Sequence, residues 1–158
     1  MSNTKPFVHY RLAAQSDIVD LAPRLRQSDV MECEALFGPG SVLETTLYGL
    51  KSDGVALVAV RDGETIAVFG VCPGDTPGVG TPWLVGTDAM DRCARELVSD
   101  ARLALSVWNR FFPILRNVVD ARNSKSIRWL KHLGFTVRDP KPLGLAGELF
   151  HEFDLGIQ

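Results

Sequence analysis

Cysteine, histidine and long apolar runs are all scarce in this chain. Cys33, Cys72 and Cys93 are odd in number, far apart and set in apolar stretches. They fit reduced core thiols better than a disulfide framework, and with His9 and His151 they lack any metal-ligand spacing, so no metal is expected. Neither histidine has neighbours in sequence that suggest a triad. No uncharged apolar run approaches the ~20 residues that span a bilayer, and the opening Met1-Ser-Asn-Thr-Lys-Pro lacks an apolar signal region, so a cytoplasmic location is expected. Strong charge of either sign is missing too. A net charge of −2 gives no electrostatic reason to bind nucleic acid or an acidic membrane.

What is present is the composition of a soluble globular protein, 46% hydrophobic and 23% charged, and 158 residues fit a single domain over 1–158. Alternation from Phe7 to Leu12 predicts a first strand. Ser16-Asp17 opens a helix with Ile18, Leu21, Ala22 and Leu25 on one face, in which Pro23 predicts a kink or break. Asp29 with Glu32, and Ser41 with Glu44, have the capping-box spacing of helix starts, and the stretch is read as two short helices between the first strand and the hairpin. "VALVAV" (55–60), Asp62-Gly63 and "ETIAVFGVC" (64–72) form a hairpin signal, because Asp-Gly accepts the positive φ angles of a two-residue turn. "PGDTPGVGTP" (73–82) reads as a loop, followed by a short strand "WLVGT" (83–87).

Met90, Ala94, Leu97, Ala101, Ala104, Trp108 and Phe111 recur every three or four residues and predict a long amphipathic helix from about Asp88 to Phe112. "ILRNVVDA" (114–121) is a strand. In "NSKSIRWLKHLGF" (123–135) a helix opens on Asn123 and closes on Gly134, since Asn accepts from free N–H groups and Gly tolerates a left-handed turn. "TVRD" and "ELFHEFDL" (148–155) supply the last strands. The strand-helix-strand passage from Trp83 to Ala121 implies one parallel step in an otherwise antiparallel sheet.

This order, with "NVVDARNSKSIRWLKHLGF" at its centre, resembles the GNAT superfamily of N-acetyltransferases. The resemblance implies an α/β (α+β) fold: a mixed, mainly antiparallel sheet of six to seven strands flanked by about four helices. It also implies acetyl-CoA as cosubstrate and an amine as acceptor. In that family an Asn after the strand contacts the pantetheine arm, a position Asn123 matches, with Gly134 and Phe135 at the helix end. The implied coenzyme contacts are Leu84, Val85, Gly86 and Thr87 on the splayed strand, Arg92 beyond it, and Asn123, Ser126 and Trp129 on the motif helix. "APRLRQSDVMECEA", "PWLVGTD" and the closing "ELFHEF" are similar to GNAT-like proteins of tailed phages, including the internal-virion-protein-A type. That likeness implies a phage or prophage origin, location in the host cytoplasm or the virion, and a host protein as one candidate target.

Two positions depart from the family pattern. Its Arg/Gln-x-x-Gly-x-Gly/Ala loop cradles pyrophosphate on free amides at a helix N-terminus. Here the stretch reads "GTDAMDRCAREL" and keeps only Gly86; Asp88 and Asp91 are placed to cap those amides and repel phosphate, leaving Arg92 or Arg95 to supply positive charge. The tyrosine that many members use to protonate the thiolate aligns with Leu130, which has no proton to give, and the indole of neighbouring Trp129 is too weak an acid.

For the base, Glu32 is the candidate, against its reading as the second half of a capping box; Glu44 faces the same objection at Ser41. Arg122, Lys125, Arg128, Lys131 and His132 form a basic cluster that reads either as a solvated helix face or as a contact for coenzyme phosphates or an acidic partner surface. Gly74, Gly78 and Gly80 do not make a phosphate loop, since no Lys-Ser/Thr follows and the next element is a strand. A non-catalytic GNAT-like module, serving as a virion component or a binder of host protein, is the alternative function.

Overall fold

The computed structural model describes residues 7–156. Eight strands and five α-helices alternate in it: β1 (His9–Leu12), α1 (Gln15–Leu21), α2 (Gln27–Phe37), α3 (Val42–Lys51), β2 (Val55–Arg61), β3 (Glu64–Pro73), β4 (Val79–Gly86), α4 (Ala94–Phe111), β5 (Ile114–Asp120), α5 (Ser124–His132), β6 (Thr136–Val137), β7 (Lys141–Leu143) and β8 (Glu148–Gly156). One sheet runs in the order β1-β2-β3-β4-β5-β8-β6, with β7 also paired to β8. Every pairing is antiparallel except β4 with β5. The mixed α/β architecture expected from the sequence is present, with one strand more than the upper expectation and one helix more.

Local chemistry accounts for most boundaries. The β2–β3 hairpin turns on Asp62 at φ 53° and Gly63 at φ 76°, both in the left-handed region that a two-residue turn between twisted strands requires. Pro23 ends α1 as expected, and a single 3-10 turn, Ala22–Arg24, carries the chain away. Helix α5 closes on Gly134 at φ 97°, where Phe135 N–H reaches Leu130 C=O and Gly134 N–H reaches Lys131 C=O, both at 3.1 Å. Those are the two bonds of a Schellman stop.

Four expectations are corrected. Strand β4 begins at Val79, so only the first part of "PGDTPGVGTP" is loop: β3 lends hydrogen-bond partners that hold Gly80, Thr81 and Pro82 extended. The helix expected from Asp88 starts as 3-10 turns over Asp88–Cys93, and α4 proper begins at Ala94. Within α4, Leu97, Val98, Leu105 and Trp108 are buried, while Phe111, the last residue of the helix, is 73% exposed. Neither capping box forms. Asp29 lies inside the first turn of α2 and pairs with Arg26, whereas the Ser41 hydroxyl donates to Cys33 C=O.

The helices lie on both faces of the sheet. Ile18 and Leu21 of α1 pack with Val58, Val68 and Val85, joined by Leu47 and Leu50 of α3. On the opposite face Leu97, Val98, Leu105 and Trp108 of α4 meet Ala67, Val71, Leu115 and Val119, and the end of α5 adds Leu133 and Phe135. At roughly 1.5–3 kcal/mol per fully buried large apolar side chain, these two layers fix the sheet. What lies between β4 and β5 is therefore framed by rigid elements.

Candidate active site

Strands β4 and β5 pair in register only at Val79 with Ile114 and Gly80 with Leu115. Beyond that they part. The place of separation follows from the residues there: Pro82 has no N–H for a ladder, so β4 presents only its carbonyl. Asn117 of β5 spans the opening, its Nδ2 donating to Pro82 C=O at 2.7 Å while its Oδ1 accepts from Val118 N–H at 2.8 Å. One side chain thus satisfies an exposed group on each strand.

Backbone direction decides what else faces the opening. Along a strand the N–H and C=O of alternate residues point to alternate sides. Thr87 N–H donates to Ile66 C=O of β3, so Val85 is turned toward β3 as well. Gly86 points the other way: its N–H donates to Asp29 Oδ2 at 2.8 Å and its C=O accepts from Arg26 N–H at 2.8 Å. Leu84, two residues earlier, shares that orientation, and no side chain among the described residues caps its N–H or C=O. It is the free rung of β4 between the Asn117 bridge and the Asp29 clamp.

Helix α2 turns Asp29, Glu32, Cys33 and Leu36 toward the gap, the spacing of one helical stripe. Asp29 is 4% exposed and held by Arg26 through Nε at 3.0 Å and Nη2 at 2.9 Å. Glu32 Oε1 accepts from Asp120 N–H at 2.7 Å, at the end of β5. Counted on from the two paired rungs, Asp120 is the register equivalent of Val85, so Glu32 holds β5 across the opening from the stretch of β4 that includes Leu84. Burial pushes the Glu32 carboxyl up to about 7; the Asp120 N–H opposes this, the Asp29 and Asp120 charges add to it, and Arg26 offsets part. Asp120 is also buried, which alone would raise it, but hydrogen bonds from the Arg122 guanidinium and backbone N–H hold it below the usual carboxylate range. The Cys33 thiol is pushed up to about 12 by burial and then by Glu32, which makes it a poor nucleophile at neutral pH.

The gap opens into a cavity of about 750 Å³ that reaches both faces of the sheet. Glu32, Leu36 and Phe37 of α2 line one side with Thr45, Tyr48 and Gly49 of α3; Ala101 and Ala104 of α4 with Ser126, Trp129 and Leu130 of α5 line the other. Of the residues singled out in the sequence, Glu32, Leu84, Val85, Ser126 and Trp129 meet at this cavity. Asn123 is 8% exposed and caps α5, its Oδ1 accepting from Ser126 N–H at 3.2 Å; its Nδ2 makes no hydrogen bond among the described residues. Gly86 and Thr87 sit at the rim of the gap with their backbone N–H groups committed, and Met90 Sδ packs so closely on Gly86 that a Cβ there would collide with it.

The stretch where the family keeps its glycine-rich loop has its own structure here. Thr87 is the cap, its Oγ1 accepting from Ala89 N–H at 3.3 Å, in place of the carboxylate caps expected from Asp88 and Asp91. Asp91 instead pairs with Lys125 at 2.9 Å. Arg92 is exposed and makes no ion pair among the described residues. In the basic cluster, Arg122 is taken by Asp120 and Glu148, and Arg128 and Lys131 are exposed. Among the described residues no group of three or more His, Cys, Asp or Glu is arranged to hold a metal ion, and no helix is long and apolar enough to cross a membrane.

Sequence reasoning passed over Asn117, Pro82 and the bridging role of Asp29. Pro82 was the readable signal: proline in a strand marks a missing ladder bond, and here the missing bond starts the gap.

No protein-family model matches the sequence, and neither does any curated protein. Solved structures do match in shape. A GCN5-related N-acetyltransferase from Kribbella flavida aligns at TM-score 0.70 and 18% identity, over 95% of this chain and 98% of that one. The ribosomal-protein-S18-alanine N-acetyltransferase of Escherichia coli aligns at 0.65 and 17% identity, over 96% and 95%. Spermidine N-acetyltransferase from Vibrio cholerae, solved with CoA and spermine, aligns at 0.69 and 10% identity, over 94% and 95%. Near-complete coverage of both partners at these scores, with sequence identity this low, establishes a common architecture: the chain has the GNAT acetyltransferase fold.

Proposed function

We propose that the protein is an N-acyltransferase that moves an acetyl group from acetyl-CoA to an amine. The observation that supports this reading above others is the open gap between β4 and β5, with the uncapped N–H and C=O of Leu84 on one side and Glu32, held at the end of β5, lining the same cavity. A pantetheine arm carries amides that can bond to such a strand edge as an added strand would. In this reading Leu84 N–H donates to the thioester carbonyl, where charge develops. Ser126 and Trp129 wall the arm, Asn123 offers Nδ2, and Arg92, Thr87 and the exposed basic residues of α5 lie toward the phosphates. The residues present fit the arm better than they fit the diphosphate, since amides near the start of α4 are already capped.

Glu32 is the general base. The amine nitrogen attacks the thioester carbon, the C–N bond forms, the C–S bond breaks, and Glu32 takes the proton the nitrogen loses. An alkyl thiol of the cysteine kind has a pKa of about 8.5, so the thiolate leaves without a dedicated acid, which accords with Leu130 standing where a tyrosine is common. The finer reading, a phage-borne enzyme acting on an amine of the host cell, free or carried on a host protein, rests on the sequence likeness described above.

The 3-10 segment at Asp88–Cys93 favours a second reading, a non-catalytic module of the same fold that works by binding a protein. Calorimetric titration with acetyl-CoA separates the two. Micromolar binding, with N-acetylated product appearing when amines are added, supports the enzyme; silence at millimolar acetyl-CoA overturns it in favour of the module.

A further inference from the structure

Glu32 ends a groove whose chemistry narrows the acceptor. The nearby cations are engaged: Arg26 grips Asp29 with two nitrogens and Arg122 grips Asp120. Glu32 therefore has a hydrogen bond from Asp120 N–H but no cationic partner of its own. Its carboxylate is placed to receive one ammonium group.

The walls leading to it are mainly apolar, their polar groups being the Thr45 and Tyr48 hydroxyls and the Trp83 Nε1, which is buried without a hydrogen-bond partner among the described residues. Leu36 and Phe37 follow Glu32 along α2, Tyr48 and Gly49 face them from α3, and the Trp83 indole forms the floor, close enough to Gly49 that an added Cβ would lie 2.9 Å from the ring. The Thr46 hydroxyl is spent on Val42 C=O at 2.6 Å. Asp75, a further carboxylate on the cavity, is on an exposed turn where water screens it. Phe37 and Tyr48 remain 57% and 74% exposed at the mouth, apolar surface on either side of the entrance that an apolar body would cover. Beyond the Trp83 N–H and the Thr45 and Tyr48 hydroxyls, a peptide backbone in this groove would leave its remaining groups unpaired, at about 1–3 kcal/mol each. A second ammonium would meet Leu36, Phe37 and Trp83.

From this arrangement we infer that the acceptor is a small primary monoamine attached to a single aromatic or branched apolar group, its nitrogen at Glu32 and its body between α2 and α3. The inference rests on the acyltransferase reading and assigns the substrate class of the same site. The acetyl carbon passes from sulfur to this nitrogen, giving the neutral amide and the free thiol, and a neutral apolar product has no charge holding it at Glu32.

The test compares 2-phenylethylamine, spermidine and an alanine-led pentapeptide as acceptors with acetyl-CoA, product being read by mass spectrometry. The expected kcat/KM for 2-phenylethylamine is about tenfold or more above either competitor, the scale on which one apolar pocket discriminates. Phe37→Ala, at an exposed position that folding tolerates, raises KM for 2-phenylethylamine several-fold with little change in kcat, and Phe37→Leu restores most of the loss. Preference for spermidine or the peptide overturns this assignment and leaves the acyltransferase reading standing, as does acetyl-CoA binding without turnover of any of the three for the assignment alone. Failure to bind acetyl-CoA overturns both.

Discussion

Replacing Glu32 by Gln removes a charge while keeping an oxygen that can accept the Asp120 N–H, so it isolates the titration from the hydrogen bond. The fold raises this carboxyl from 4.5 to about 7. Between those values the folded chain holds a proton that the unfolded chain has released. A group raised in this way lends its full contribution to stability below pH 4.5 and loses it as pH climbs through 7. At about 1.4 kcal/mol per unit, the loss comes to about 3 kcal/mol at most, or on the order of 10 °C in Tm for a domain of this size. Urea denaturation from pH 5 to pH 8 should show the natural chain losing about three quarters of that amount relative to Glu32→Gln, whose own curve lacks the step. Activity should move oppositely, since the base works only when ionised: kcat/KM of the natural chain carries an extra unit slope below pH 7 that the variant lacks. Parallel stability curves for the two proteins over this range would refute both the burial of the charge and its use as the base.

Asp29→Ala leaves Arg26, whose side chain is 12% exposed, without its partner and Gly86 N–H without its acceptor, a loss of about 3 kcal/mol by the usual cost of breaking a buried pair; a drop below about 1 kcal/mol in urea denaturation would show that α2 is not tied to β4 there. Asn123→Ala should cost about 1 kcal/mol through the lost α5 cap and also weaken acetyl-CoA in calorimetry. An unchanged affinity would remove Asn123 from the coenzyme contacts. Asp91→Ala frees Lys125 and deletes a negative charge near the start of α4, so acetyl-CoA should bind several-fold more tightly at low salt and lose that gain at high salt; weaker binding would mean the phosphates lie elsewhere.

Periodicity and turn chemistry carried most of the fold. The Asp62-Gly63 hairpin, the break at Pro23 and the Asn123 and Gly134 ends of α5 are set by neighbours in sequence, and all are found. The failures have a different origin. Asp29 and Glu32 have the spacing of a cap, yet their partners, Gly86 N–H and Asp120 N–H, are 57 and 88 residues away, beyond anything local spacing reveals. Strand β4 is longer than its sequence suggests because Gly80 and Pro82 are poor strand formers alone and become strand only beside β3. Of the residues that line the cavity, resemblance to a family pointed to Glu32, Leu84 and Trp129. The bridge at Asn117 was not, since nothing near it in sequence distinguishes an amide that spans two strands from one facing water.

A row of strand groups left without a partner strand invites pairing with whatever backbone is at hand, so an opened gap inside a sheet needs a reason to stay open. Here the reason is side chains that stand in for a strand. Asn117 serves Pro82 and Val118, Asp29 serves Gly86, and Glu32 serves Asp120. Closing β4 onto β5 would displace three hydrogen-bonded side chains and still leave Pro82 with no N–H to contribute. The gap is therefore held by its own chemistry, and the substitution is incomplete at Leu84 alone on β4, between the bridge and the clamp. Leu84 keeps an N–H and a C=O turned to the opening with no side chain to fill them, which is the edge that the proposed reading gives to an extended, amide-bearing arm.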